Sequence, residues 1–182
     1  MNKLLSKWYV FIVWLIISFF ISSWIIDLRC NYKDKEVLGI YISAYSFNEE
    51  KLKEGLLKDE VEEIKQINIK CVQTNDPNYY LSYSTFGVES SDFLILKKEM
   101  FEENTFKQFY CLLELDLNND NLYFIDDKPY GIYIHKKDTE STNENISYEN
   151  DDYILFINPS SKHIDDKDLL ISYVKIILEN VR

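Results

Sequence analysis

Between Lys7 and Asp27 the chain carries no charged residue, and residues 8–26 (WYVFIVWLIISFFISSWII) are nearly all apolar. A helix needs about 20 such residues to cross a hydrocarbon core of about 30 Å, where only a helix can satisfy its own backbone hydrogen bonds. The pattern predicts a transmembrane signal anchor over residues 8–26 and a water-facing domain behind it. Lys3 and Lys7 precede the span, with no acidic residue among them. The positive-inside rule therefore places residues 1–7 in the cytoplasm and the remaining 156 residues outside the cell membrane. Trp8, Tyr9 and Trp24 suit the headgroup layers at its two ends. A cleaved signal peptide is the competing reading. Its apolar region usually runs about 7–15 residues and ends in small residues, whereas this run is longer and Ala44 is the sole alanine in the chain. A lipoprotein is the third reading, and Leu28-Arg29-Cys30 is a poor lipidation motif.

All 31 acidic residues lie from Asp27 onward, against 18 of the 20 basic ones, which leaves this part at −13. Such a charge argues against nucleic acid, anionic headgroups or anionic wall polymers as partners. It also simply keeps a domain soluble. The length fits one domain with an adequate core. Three cysteines make no disulfide framework. Cys71 and Cys111 sit in apolar surroundings and read as buried thiols, with a bridge between them left open. No CxxC, HExxH or cysteine–histidine cluster is present, so neither a metal site nor a cofactor is expected.

Residues 27–36 read as a charged tether and 37–182 as an α/β domain. Residues 37–45 (VLGIYISAY) alternate as a strand does. Residues 48–66 read as a helix, with Asn48 as N-cap and Leu52, Leu56, Leu57, Val61 and Ile64 on one face. A strand at 67–72 follows, then a short helix at 78–86 closed by Gly87. Residues 92–96 (DFLIL) form an apolar run expected of a strand covered on both faces. Residues 99–115 read as a helix with an aromatic face of Phe101, Phe106, Phe109 and Tyr110. Strands at 130–135 and 153–157 flank a polar stretch, 136–152, read as a solvated flexible loop. An amphipathic helix at 164–181 closes the chain. Strands alternating with helices predict a mainly parallel five-stranded sheet flanked by helices.

In order and spacing, GIYISAYSFNE, FGVESSDFLIL, DDKPYGIYI and YILFINPSSKHIDDKDLLISYVKIIL resemble one lobe of extracellular solute-binding proteins of the maltose-binding type, the capture subunits of ABC-type sugar importers. The resemblance covers roughly residues 37–135 and 153–180. It implies a periplasmic-binding-protein-like lobe from which the chain leaves after the YGI strand and to which it returns through YILFI. Here the second lobe is replaced by residues 136–152, which leaves half a cleft. The implied ligand is a carbohydrate or similar neutral solute, and the implied partner a transporter. The alternative is an anchored interaction module or accessory scaffold, serving a transporter or another envelope protein, that has lost solute binding.

In open α/β sheets, ligands sit beyond the carboxyl ends of the strands. That rule singles out the loops after the first and third strands. Tyr45 and Phe47 could stack on a sugar ring, and Lys98 and Glu99 could bond its hydroxyls. Tyr79, Tyr80 and Tyr130 are further stacking candidates, with core packing as the competing role for each aromatic. Asp116, Asn118 and Asp120 have the spacing of a calcium loop, but Asn121 stands where glycine is needed and Asp127 where glutamate is needed, so a polar turn is expected. Ser160, Ser161 and His163 evoke a hydrolase. Without a G-x-S-x-G elbow, the serines read instead as helix N-caps and no catalysis is expected.

Overall fold

The computed structural model describes residues 8, 11–22, 34–58, 63–115, 117, 120–139 and 143–182. Residues 11–22 are helical; residues 9–10 and 23–26 of the span read as membrane-crossing, and 27–33 of the tether, lie outside the described residues. Among the described residues no helix is long and apolar enough to cross a membrane. The chain divides into two units, Met1–Lys33 and Asp34–Arg182, and the second carries the sheet.

Its strands are β1 (Val37–Ala44), β2 (Ser46–Phe47), β3 (Gln66–Gln73), β4 (Phe93–Lys97), β5 (Leu122–Ile125), β6 (Lys128–His135), β7 (Ile146–Ser147) and β8 (Tyr153–Ile157). Six of them form one sheet in the order β3-β1-β4-β8-β6-β5, and β2 pairs with β7 apart from it. β1 runs parallel to β3 and β4. β8 runs antiparallel to both β4 and β6, and β5 antiparallel to β6.

The sheet is thus mixed and six-stranded, which corrects the mainly parallel five-stranded expectation. The reason lies in the connections. A parallel return needs a crossover, usually helical. Between β6 and β8 the described residues contain only the two-residue β7, so β8 comes back antiparallel. The sixth strand, β5, is joined to β6 through Asp126 and Asp127, both at positive φ (48° and 63°). A two-residue turn with both central residues left-handed matches the twist of a hairpin, and aspartate tolerates that conformation.

Alternation along the central strands splits the core in two. Leu38, Ile40 and Ile42 of β1, Ile95 of β4 and Leu155 of β8 face an aliphatic layer that includes Leu52, Leu56, Leu170, Tyr173, Val174 and Ile177. These come from helices α1 (Glu49–Lys58) and α4 (Lys167–Val181). Tyr41, Leu94 and Phe156 face the opposite, aromatic layer with Tyr79, Phe106, Phe109 and Tyr123. The short helices α2 (Tyr79–Ser82), which runs into a π-helical turn Tyr83–Val88, and α3 (Glu103–Phe106) supply part of it.

Asn48 caps α1 as expected: its Oδ1 accepts from the Lys51 N–H at 3.2 Å. Residues 59–62, including Val61, lie outside the described residues. The continuous helix expected over 99–115 is broken into a 3-10 turn (Lys98–Met100), α3 and a second 3-10 turn (Leu112–Leu115). Phe106 and Phe109 both stack on Phe156, at 4.8 and 4.7 Å between centroids. The Tyr110 N–H bonds the Ile157 carbonyl at 3.0 Å, so the sheet captures the segment before a long helix can form. α4 begins later than expected because Asp166 caps it, its Oδ1 accepting from the Leu169 N–H at 3.0 Å.

Candidate functional site

The carboxyl ends of the parallel strands β1, β3 and β4 share one edge with the end of β6 and the start of β8. Residues 149–152 lie across it. Lys97, at the end of β4, places its Nζ 2.5 Å from Glu149, 3.5 Å from Glu99 and 3.8 Å from Asp151. Burial lowers the Lys97 ammonium's pKa, but Glu149, Tyr153 and Glu99 together more than reverse this, so it stays charged above its ordinary range. Lys98 donates from its backbone N–H to the Asp152 carbonyl at 2.8 Å. Its Nζ reaches Asp152 Oδ2 at 3.3 Å and sits 5.4 Å over the Tyr123 ring.

Beside this cluster is an open cleft of about 410 Å³, lined by Lys98, Glu99, Phe101, Glu103, Phe106, Tyr123, Asp151 and Asp152. The Asp151 carboxyl is raised by burial, and the facing Glu99 carboxylate adds to the effect. Glu99 is lowered, first by its contact with the Asp151 carboxyl and then by Lys97. Two carboxyls that face each other cannot both ionise freely, so the buried one keeps its proton longer. An aromatic shelf adjoins the cleft. Tyr80 is exposed and packs edge-to-face on Phe101 with centroids 6.0 Å apart, and its hydroxyl donates to the Met100 carbonyl at 3.1 Å.

Of the residues singled out from sequence, Lys98 and Glu99 line this cleft together. Tyr45 is exposed at the end of β1, its N–H bonded to the Ser147 carbonyl at 2.9 Å. Phe47 lines a different groove of about 590 Å³ along β3, between Cys71 and Phe86. Tyr79 is buried in the aromatic core, with its hydroxyl 2.6 Å from Ser43 Oγ. Tyr130 is half-buried near the start of β6, at the opposite edge of the sheet. The cleft adds Phe101, Tyr123, Asp151 and Asp152, none of which the strand-end rule marks.

The other motifs resolve differently. Ser161 Oγ donates to Asp92 Oδ1, and the His163 ring nitrogen Nε2 meets the Val37 carbonyl at 3.2 Å, so the imidazole does not address the serine hydroxyl. Neither serine caps α4. Asp116 and Asn118 lie outside the described residues, and Asp127 belongs to the β5–β6 turn. Among the described residues no group of three or more His, Cys, Asp or Glu side chains is arranged to hold a metal ion. Cys71 and Cys111 are free thiols, and burial pushes Cys71 up to about 12.

Fold and site together define an α/β domain with a mixed six-stranded sheet and an acidic, aromatic-walled cleft at its carboxyl edge. No family model matches the chain, and no curated protein does. Among solved structures it is similar to an ABC substrate-binding protein of Listeria monocytogenes in complex with cycloalternan, at 20% identity and a TM-score of 0.39, over 53% of this chain. The chain spans 28% of that protein's length.

Proposed function

We propose that this chain is a membrane-anchored solute-binding-like lobe, held on the outer face of a cell membrane by residues 8–26, that captures a carbohydrate or similar hydroxyl-rich solute for an ABC-type importer. The observation that carries the reading is the shelf formed by exposed Tyr80 and half-buried Phe101 beside Glu99 and Lys98 at the carboxyl edge of the sheet. An aromatic face for the ring and charged groups for the hydroxyls are what a sugar site needs. The topology supports it too. β6 and β8 are neighbours, so the chain leaves and re-enters the sheet side by side, as the resemblance implies for a lobe that once carried a second one. One lobe buries less of a ligand than two, so binding is weak unless a partner completes the cleft. The anchor holds the domain near that partner at high effective concentration.

A scaffold role is the second reading. What favours it is the stack by which Tyr148, from the segment 143–152, packs on His135 and Tyr153 of the sheet, all three buried. Calorimetry and thermal shift of the full chain against a sugar and oligosaccharide panel separate the two. A ligand that binds only the folded state raises the melting temperature. A shift abolished by Tyr80→Ala and by Glu99→Ala supports capture; no response at millimolar sugar moves the protein to the scaffold class.

A further inference from the structure

Residues 149–152 are tied to the end of β4 by two kinds of contact. One is the set of ion pairs that Lys97 and Lys98 make with Glu149 and Asp152. The other joins two acids: the Asp151 carboxyl is hydrogen-bonded to the Glu99 carboxyl, which belongs to the 3-10 turn after β4. Two ionised carboxylates offer acceptors only, so such a bond exists only while one of them holds a proton. Their surroundings decide which. Asp151 Oδ2 is sealed from solvent, its Oδ1 already accepts the Asp152 N–H at 2.7 Å, and burial raises the group. Glu99 is exposed and lies 3.5 Å from Lys97 Nζ, which favours its charged form. Asp151 therefore donates and Glu99 accepts.

We propose that Glu99 and Asp151 form a proton-operated latch on the cleft wall: sharing one proton they hold residues 149–152 against the end of β4, and loss of that proton releases the segment. Ile146 and Tyr148 stay buried, so the part that moves is short. Without the proton, Glu99, Glu149 and Asp151 stand within 3.8 Å of Lys97 as three anions around one cation, and repulsion replaces a bond. Lys98, Glu103 and Asp152 line the same cleft, and the Tyr153 hydroxyl, which bears on Lys97, is neutral because burial pushes it up to about 12. Asp151 is raised, so its contribution is present at low pH and lost as pH rises through its titration. Glu99 is lowered, so its contribution is lost as pH falls through its own. The latch is closed between the two. His135 stacks on Tyr148 of the same segment, but its protonation loosens that stack as pH falls, the opposite sign. The latch belongs to the wall itself and stands whether or not the cleft takes a solute.

Amide hydrogen exchange of the full chain reads the latch without any ligand. The Lys98 N–H, bonded to the Asp152 carbonyl at 2.8 Å, reports on the segment. The Tyr110 N–H, bonded to the Ile157 carbonyl at 3.0 Å at the other end of β8, reports on the sheet. The expected result is that Lys98 protection, corrected for the intrinsic exchange rate, falls about tenfold as pH rises from about 4 to about 7, the scale of one charge-assisted hydrogen bond, while Tyr110 protection holds. Asp151→Asn and Glu99→Gln each supply an N–H in place of the proton, so either should keep the segment protected across the whole range. Glu99→Ala should leave it open throughout. Carbon NMR should find the Asp151 carboxyl titrating above the ordinary 3.8. Lys98 protection that does not change with pH, or that falls in step with Tyr110, overturns the proposal, and so does an Asp151 midpoint at or below 3.8. Circular dichroism checks that the variants fold; should any not, the pH profile of the unaltered chain decides alone.

Discussion

Ser161 Oγ donates to Asp92 Oδ1 at 2.6 Å, with both side chains sealed from solvent. The other carboxylate oxygen, Oδ2, accepts the Gly39 N–H at 2.7 Å. One side chain thus joins β1, the entry to β4 and the turn after β8, at the edge of the sheet opposite the cleft. Asn158 closes the same corner by donating to the Val88 and Ser91 carbonyls at 2.8 and 2.7 Å. Asp92→Ala strands a buried amide and a buried hydroxyl, and should cost about 3 kcal/mol. Urea denaturation measures it; a loss below about 1 kcal/mol would mean that water replaces the carboxylate freely.

Gly131 of β6 pairs with Phe156 of β8 and is tightly covered by that strand. A Cβ added there would lie 2.5 Å from Ile154 Cγ2 and 2.9 Å from the Leu155 carbonyl oxygen. The obstruction includes backbone, so it cannot swing aside. Gly131→Ala should therefore destabilise by about 1–3 kcal/mol through overpacking, seen as a lower urea midpoint with an unchanged slope. A neutral result would show that the β6–β8 pairing yields.

His135 supplies a pH prediction. Burial pushes its imidazole below the ordinary 6.5, against an opposing pull from Asp152. The ring stacks on Tyr148 at 5.5 Å, and its Nδ1 lies 3.3 Å from Thr139 Oγ1. The unfolded chain then takes up a proton at a higher pH than the folded one. The stabilisation from a neutral His135 is present above about pH 6.5 and lost as pH falls through the folded-state titration. The urea midpoint should drop across that window, and His135→Phe should flatten the drop. An imidazole titration by NMR with a midpoint at or above 6.5 would refute the assignment.

The runs in β1, β4 and β8 were legible because strands covered on both faces are apolar without a break. Strand β5 was not. It is four residues long, follows a polar stretch and depends on two aspartates adopting positive φ. The direction of β8 was equally hidden, since it depends on which neighbour the strand chooses. Along 99–115 the aromatic spacing imitates a helix face, yet Phe106 and Phe109 converge on Phe156 from a broken segment. In the site, the strand-end rule located Lys98 and Glu99. It could not separate Tyr79 from Tyr80, because a four-residue helix has too little periodicity to say which faces inward. Asp151 and Asp152 read as ordinary solvated acids in a polar run, and only the contacts to Lys97 and Lys98 distinguish them.

Tyr148 decides whether that polar run is part of the fold. It is 9% exposed, packs on His135 and on Tyr153 at 4.6 Å, and its hydroxyl donates to the Val181 carbonyl at 3.0 Å, at the end of α4. Two residues earlier, Ile146 is buried and pairs with Phe47 between β7 and β2. Two apolar anchors therefore pin a segment whose composition is otherwise that of a loop. Tyr148→Phe loses one hydrogen bond, about 1 kcal/mol. Tyr148→Ala opens a cavity and should cost about 3–5 kcal/mol. The same anchor positions Glu149, Asp151 and Asp152 over Lys97 and Lys98, so the alanine variant should also lose ligand affinity while the phenylalanine variant keeps it. Urea denaturation, limited proteolysis within residues 136–152 and calorimetry on the same two variants test this. If Tyr148→Ala binds ligand as the unaltered chain does, the cleft wall is held by the lysine ion pairs alone, and the aromatic anchor serves only stability.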